Sequence, residues 1–252
     1  MTSISKTPFL LPCPFESEFL GIPTFRLEIP ASTQNYAPET EALLLQELTI
    51  ALDEIALIGP HLVTCRRSET DRAVLSTLQV AGFRVIECLI TLGCALDRTG
   101  GQPPVRVRKS TMADADAAER IGATAFYLDR FHSDPLVSDA AASRLKGAWA
   151  RNSVAGRADA VFVIEEDGCV VGFNACLLRG DTAVIDLIAV APGFQGRGLG
   201  RDLVAASLAY YAGKAARMIV GTQSTNYSSF GLYQSAGFRI EGSALTLHAH
   251  LN

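Results

Sequence analysis

The stretch Val184-Ile-Asp-Leu-Ile-Ala-Val190-Ala-Pro-Gly-Phe-Gln195-Gly-Arg-Gly-Leu-Gly200-Arg-Asp-Leu203 changes character three times within twenty residues. It begins as an apolar run, breaks at Pro192-Gly193, passes through glycines at 196, 198 and 200, and resumes with Leu199, Leu203, Ala206 and Tyr210 at helical spacing. That pattern reads as a buried strand, a glycine turn and an amphipathic helix. Alternating glycines at a helix start leave several backbone N–H groups bare and pointing one way, which makes an anion site. The expected occupant is the pyrophosphate of a cofactor, and the bland alternative is a purely structural turn.

Two familiar phosphate loops do not fit. No Lys-Ser/Thr follows the last glycine, as a Walker loop requires. After Gly196-x-Gly198 the third glycine comes one residue early for a dinucleotide fingerprint. The acidic ribose ligand expected about twenty residues on is replaced by Ala-Ala-Arg-Met-Ile-Val-Gly.

The 252 residues are 48% hydrophobic and 19% charged, which allows a substantial core and argues against disorder. A net charge of −4 argues against a nucleic-acid partner, which needs a concentrated basic face. No apolar run approaches the roughly 18 residues of a membrane span, and the N-terminus lacks a convincing cleavage site, so a cytoplasmic protein is expected. The six cysteines form no Cys-x-x-Cys pair and read as small buried hydrophobes. His248 and His250 share a strand face, but two imidazoles do not make a zinc site, so edge-strand polar residues and no metal are expected.

Periodicity and punctuation predict helices over residues 38–57, 69–81, 114–126, 139–152 and 228–235. Strands are predicted over 24–29, 61–65, 83–96, 105–108, 160–165, 170–178, 218–222, 238–241 and 244–250, with a hairpin at Glu166-Asp167-Gly168. The Gly- and Pro-rich loop from Arg98 to Pro104 is the best boundary, dividing an α/β domain at 1–101 from a second at 102–252. Gln79-Val-Ala-Gly-Phe-Arg-Val-Ile-Glu87 resembles Gln234-Ser-Ala-Gly-Phe-Arg-Ile-Glu241, so the first domain reads as a degenerate half-copy of the second or as a chance likeness of helix–glycine–strand junctions. It has no glycine-rich loop, and Leu78 stands where the second copy has Tyr233.

Gln195-Gly-Arg-Gly-Leu-Gly200 after a strand resembles the acetyl-CoA motif of the GCN5-related N-acetyltransferases (GNAT), Q/R-x-x-G-x-G/A. Asn226 after a strand, followed by Leu232-Tyr233-Gln-Ser-Ala-Gly237-Phe238, resembles the second segment of that family, in the same order and spacing. The resemblance covers residues 105–250. It implies an α/β GNAT fold, with a mixed, mainly antiparallel central sheet flanked by helices and a smaller α/β domain in front.

It also implies a division of labour. The backbone N–H groups of Gln195, Gly196, Arg197, Gly198, Leu199 and Gly200 would hold the pyrophosphate of acetyl-CoA, with charge added by Arg197 and Arg201. Ile188 and Val190 would pair with the pantetheine arm as if it were a strand, the Ile188 N–H polarising the thioester carbonyl. Asn226 would contact the same arm, and Tyr233 would be the general acid for the departing thiolate. Asp186, two residues before Ile188 and on its face by strand period, is a candidate base with His132 and Asp134 as rivals.

The whole layout is similar to the dTDP-fucosamine acetyltransferases. The likeness extends to Pro14-Phe-Glu-Ser-Glu-Phe-Leu-Gly21, to Ala125-Phe-Tyr-Leu-Asp-Arg-Phe-His-Ser-Asp134 and to Thr222-Gln-x-x-Asn226, with Asp129 where serine is usual. It implies transfer of acetyl to an anionic nucleotide-linked amino sugar, with Arg130, Phe131, His132 and Asp134 on the acceptor side and Arg144, Arg151 and Arg157 as further cations. Family members acting on protein N-termini carry a glutamate twelve residues before the tyrosine, where this chain has Gly221. Another small amine, a protein N-terminus, or an acyl-CoA sensor without turnover are the alternatives. The N-terminal domain leaves room for a homodimer.

Overall fold

The computed structural model describes residues 9–29, 38–57, 59–96 and 104–251. The loop expected to divide the domains lies, apart from Pro104, outside these residues, as does the extreme N-terminus. In chain order the elements are β1 (Phe9–Pro12), α1 (Pro14–Leu20), β2 (Thr24–Glu28), α2 (Pro38–Ala56), β3 (His61–Ser68), α3 (Arg72–Val80) and β4 (Arg84–Ala95). Then follow β5 (Val107–Lys109), α4 (Ala115–Ala125), α5 (Asp139–Asn152), β6 (Ala160–Glu166), β7 (Cys169–Arg179), β8 (Thr182–Val190), α6 (Leu199–Tyr211), β9 (Arg217–Gln223), α7 (Tyr227–Ser235) and β10 (Arg239–Leu251). The pair β1–α1 was hidden from the pattern by its shortness and by Pro12 and Pro14. The two predicted C-terminal strands are one, because Gly242 stays in extended backbone instead of turning.

Contacts divide the chain into two compact units that are discontinuous in sequence. One comprises Met1–Cys88, Ser133–Val137 and Ser243–Asn252, the other Leu89–His132 and Ser138–Gly242. This differs from a division at 101/102, because both β4 and β10 run from one unit into the other. A strand belongs with whatever it packs on, wherever the glycines and prolines fall.

In the first unit β1 pairs with β2 antiparallel, β2 with β3 parallel, and β3 with β10 antiparallel from Ala244–Ser68 to Leu251–His61. Helix α2 is the crossover of the parallel pair and buries Leu44, Leu48 and Leu52, spaced by one helical turn, against Leu27, Val63, Val74, Leu78 and Leu247.

In the second unit the strand order is β4-β9-β8-β7-β6-β5. Among the described residues of this unit only β8–β9 is parallel; β4–β9, β7–β8, β6–β7 and β5–β6 are antiparallel. This is the mixed, mainly antiparallel sheet that the resemblance implies. Its strands alternate between two cores. Phe162, Ile164, Cys176 and Ile185 pack with Leu199 and Leu203 of α6 and Tyr233 of α7. Val161, Val163, Phe173 and Leu187 pack with Ala118 and Ile121 of α4 and Ala150 of α5. The hairpin turn is as read, with Asp167 and Gly168 both at positive φ, 52° and 75°.

The internal repeat has a geometric counterpart. Helix α3 is followed by Gly82 at φ 91°, and the Phe83 N–H closes on the Leu78 carbonyl at 3.0 Å. Helix α7 is followed by Gly237 at φ 90°, and the Phe238 N–H closes on the Tyr233 carbonyl at 3.0 Å. Each glycine takes a left-handed conformation that other residues avoid.

Helices α4 and α5 cross at glycines. A Cβ on Gly122 would stand 2.8 Å from both the Ala150 Cβ and the Lys146 carbonyl oxygen, and one on Gly147 would stand 3.0 Å from the Glu119 oxygen. Alanine gains about 1 kcal/mol of helix propensity over glycine, but here it must push the helices apart. Gly122→Ala is therefore expected to lower stability in urea unfolding by about 1–3 kcal/mol. An unchanged midpoint would mean that the two backbones do not meet so closely.

Candidate active site

Strand β8 leads through one turn at Pro192–Phe194 into the glycine loop. Gly196 and Gly198 have φ of 78° and 79°, and Gly198 precedes α6 without a side-chain cap. Among the described residues, the N–H groups of Gly196, Arg197, Gly198, Leu199 and Gly200 make no hydrogen bond. They form a row of donors at the positive end of a helix. A Cβ on Gly196 would meet nothing within 4 Å. What requires glycine there is thus the left-handed backbone. Gly200 is different: its Cβ would lie 3.4 Å from Leu232 Cδ2, an ordinary contact.

The side chains around the loop are largely engaged with one another. Gln195 Nε2 donates to the Val190 carbonyl at 3.0 Å. Arg197 folds back on its own loop, bonding Glu166 at 3.0 Å and the Gly193 carbonyl at 3.1 Å, and stacks 5.0 Å from the Phe194 ring centre. Arg201 is exposed on the first turn of α6. Arg106, which carried no motif, pairs with Asp202 and stands 3.9 Å from Glu166.

Upstream of the loop, β8 and β9 part company. Their parallel ladder has four pairs, from Thr182–Arg217 to Ile185–Val220, although both strands continue. The separation coincides with an irregularity on the other side of β8, where Cys176 pairs with Ile185 but Ala175 pairs with Leu187. Asp186 is the extra residue of a β-bulge. Beyond it the Ala191 N–H donates to Val171 on β7 at 2.8 Å. Strand alternation therefore turns the N–H and C=O groups of Ile188 and Val190 away from β7, to the side that β9 has left.

The bulge also overturns one expectation. Ile185 packs in the α6–α7 core and Leu187 in the α4–α5 core, so the two-residue period is interrupted at Asp186 and cannot set it on the face of Ile188. Its carboxylate pairs with Arg157, at 2.6 Å from Nη1, across a glycine-kinked turn at Ser153–Arg157.

Tyr233 is 2% exposed on α7, packed 5.7 Å from the Phe238 ring, and burial pushes its hydroxyl pKa well above the usual tyrosine range. It is a protonated phenol under any ordinary condition. Asn226 caps α7: its Oδ1 accepts from the Ser229 N–H at 3.3 Å and the Ser228 hydroxyl at 3.0 Å. The amide nitrogen takes no part in that cap.

Residues 119–238 match the acetyltransferase (GNAT) family. The matched stretch is just under half of the chain, and it is similar to that family over β6 to β9, the glycine loop and α7. The spore coat polysaccharide biosynthesis protein SpsD of Bacillus subtilis is 32% identical over 136 residues, covering 54% of this chain and 47% of that protein. The match thus spans about half the length of this relative. Among solved structures, a GCN5-related N-acetyltransferase from Sphaerobacter thermophilus aligns with a TM-score of 0.66 at 15% identity, over 97% of this chain and 76% of the other. One from Kribbella flavida aligns at 0.59 and 15%, over 90% and 81%. A tandem GNAT protein from the clavulanic acid biosynthesis pathway aligns at 0.59 and 14%, over 92% and 76%. At these identities the likeness is one of fold.

Within the matched stretch, the segment after α4, expected on the acceptor side, turns several of its side chains inward. Phe131 is fully buried, 6.1 Å from the Trp149 ring. Arg130 lies over the Phe131 ring at 4.5 Å. His132 Nδ1 bonds Asp129 at 2.6 Å and its Nε2 bonds the Ser143 hydroxyl at 3.2 Å. Asp129 is the centre of this arrangement, accepting also from the Phe131 N–H at 3.1 Å and lying 3.5 Å from Lys146 Nζ. The departure from serine is used: the carboxylate organises the loop.

Asp134 belongs to the first compact unit. It is 2% exposed and bonds His248 Nδ1 at 2.6 Å and His250 Nε2 at 2.7 Å. The expectation that these histidines are edge-strand polar residues is overturned, since His248 is buried and both imidazoles share one carboxylate. Of the other cations, Arg151 pairs with Asp116 and with Glu119, the latter at 2.9 Å.

Burial raises the pKa of Asp129, but the hydrogen bond from His132 and the Lys146 charge outweigh it and hold the carboxyl down at about 2. A group depressed in the folded state stabilises above its unfolded pKa, near 3.9, and that stability is lost as pH falls towards 2. Asp129→Asn is expected to lose about 2 kcal/mol at neutral pH and to flatten the decline of stability between about pH 4 and 2. Parallel curves for the two proteins over that range would contradict the assignment.

Proposed function

We propose that the chain transfers acetyl from acetyl-CoA to the amine of a small acceptor, an amino-deoxy sugar carried on a nucleotide, by direct attack in a ternary complex. The observation that carries the reading is the join of two open sets of backbone groups. The end of β8 has lost its partner, and the next turn offers five bare N–H groups at a helix start. An extended pantetheine arm ending in a pyrophosphate needs a strand edge followed by an anion cradle.

The bound thioester supplies an acyl carbon open to an amine. The Ile188 N–H, on the open side of β8, is placed to donate to the carbonyl oxygen as charge develops there. The acceptor nitrogen bonds to the carbonyl carbon, the carbon–sulfur bond breaks, and Tyr233 gives its proton to the leaving sulfur. The amine proton passes to solvent water, since the bulge takes Asp186 off the face of Ile188 and commits its carboxylate to Arg157. Asn226, with Oδ1 committed to its cap, has its amide N–H groups left for the arm.

A sugar acceptor is supported by the relative named for spore coat polysaccharide biosynthesis. Arg130 and His132 would then act from the acceptor side, while Phe131 shapes it from beneath. The first unit reads as a half-copy without chemistry, since Leu78 holds the place of Tyr233 at the matching helix end. It offers a surface for a second copy of the chain.

Thiol release from acetyl-CoA, measured with dTDP-linked amino sugars, polyamines and N-terminal peptides, tests the reading. Turnover with the sugars is expected; turnover with peptides alone, or tight CoA binding with no thiol release, would overturn it. Tyr233→Phe removes only the hydroxyl, so turnover is expected to fall roughly 100-fold or more with CoA affinity nearly unchanged. Equal losses in both would make Tyr233 a packing residue.

A further inference from the structure

We propose that Asp134, His248 and His250 form a site for one divalent transition-metal ion of the zinc class, which fastens the 133–137 segment to the C-terminal strand. The three residues lie in one compact unit, and their ligand atoms, Asp134 Oδ2, His248 Nδ1 and His250 Nε2, all fall within 4.8 Å of one another. Two imidazoles and one carboxylate are a donor set suited to zinc, cobalt or nickel, and three protein ligands leave a position for water.

The ligands are held in place independently of any ion. His248 and His250 are two apart on β10, so strand alternation puts both rings on one face. The other carboxylate oxygen of Asp134, Oδ1, accepts the Leu136 N–H at 3.0 Å, and the Val137 N–H closes a turn on the Asp134 carbonyl at 3.0 Å. Those two bonds aim Oδ2 at the imidazoles, as outer partners orient a ligand in an established metal site.

Without an ion, both nitrogens donate a proton to the same oxygen, at 2.6 and 2.7 Å. Around a tetrahedral zinc, ligand atoms stand about 3.3 Å apart. The two Asp134–imidazole separations, now 2.6 and 2.7 Å, therefore have to widen by about 0.6–0.7 Å for the ion to take the place of the two protons. His250, with 17% of its side chain exposed beside the buried Asp134 and His248, opens the way in.

The test is calorimetric titration of zinc chloride into full-length protein freed of metal by dialysis against a chelator, with magnesium as the hard-cation control. Thermal unfolding is recorded alongside. Saturation at one equivalent of zinc, a raised melting temperature and no response to magnesium are expected. His250→Gln, at the partly exposed ligand, keeps the fold and should weaken zinc binding at least about tenfold; Asp134→Asn should abolish it. The wild type failing to saturate at one equivalent would overturn the proposal. So would undiminished binding by His250→Gln, which would assign the zinc to the free cysteines, such as the exposed Cys169.

Discussion

Four residue pairs join β8 to β9, and the ladder stops at Ile185–Val220 because the next residue, Asp186, is one too many for the pairing on the β7 side. A bulge bends the strand that carries it and increases its twist. Here the consequence is a strand edge, Ile188 to Val190, whose polar groups face the gap left by β9. Backbone donors that are not paired must find water or a ligand. The gap therefore leaves these groups to water or to a ligand, and the glycine loop that follows β8 starts from the same open edge.

The glycine loop extends the same logic past the strand. Gly196 and Gly198 hold left-handed backbone at little cost, and their N–H groups stay exposed, so water satisfies them in the free protein. Had the row been buried, each unsatisfied N–H would cost about 1–3 kcal/mol. Three polar side chains nearby are tied down: Arg197 by Glu166, Arg106 by Asp202 and Gln195 by the Val190 carbonyl. The proposed anion cradle is consequently one of backbone and helix end, with the side chains holding the loop's shape. Tyr233 approaches from α7 inside the same core that α6 packs on, so one packing arrangement positions both the cradle and the phenol.

How far this was legible in the sequence depends on whether the controlling contact is local. Pro192, the glycines at 196 and 198 and the helical leucines after them announce a strand–turn–helix within twenty residues, and the structure has it there. The hairpin at Asp167-Gly168 and the glycine-closed ends of α3 and α7 are equally local. The bulge is not, because an extra residue is defined only against β7, and it defeated the two-residue period that placed Asp186 beside Ile188. Arg157 reaches Asp186 across 29 residues, and Asp134 reaches His248 across 114. Nothing in either segment signals such a partner. The aromatic and basic stretch around Phe131 looked too costly to be unused, and it is used inwardly, around Asp129. One available signal was the aspartate itself, followed at once by N–H groups and three residues later by an imidazole.

The central claim is that the unpaired edge of β8 and the bare N–H row after it form one continuous site for acetyl-CoA. Hydrogen–deuterium exchange of the full chain with and without CoA tests it at the backbone groups concerned. Slowed exchange at residues 188–190 and 196–200, with the far ends of β6 and β7 unchanged, is the predicted result. CoA binding that leaves both segments exchanging at their free rates would contradict the account.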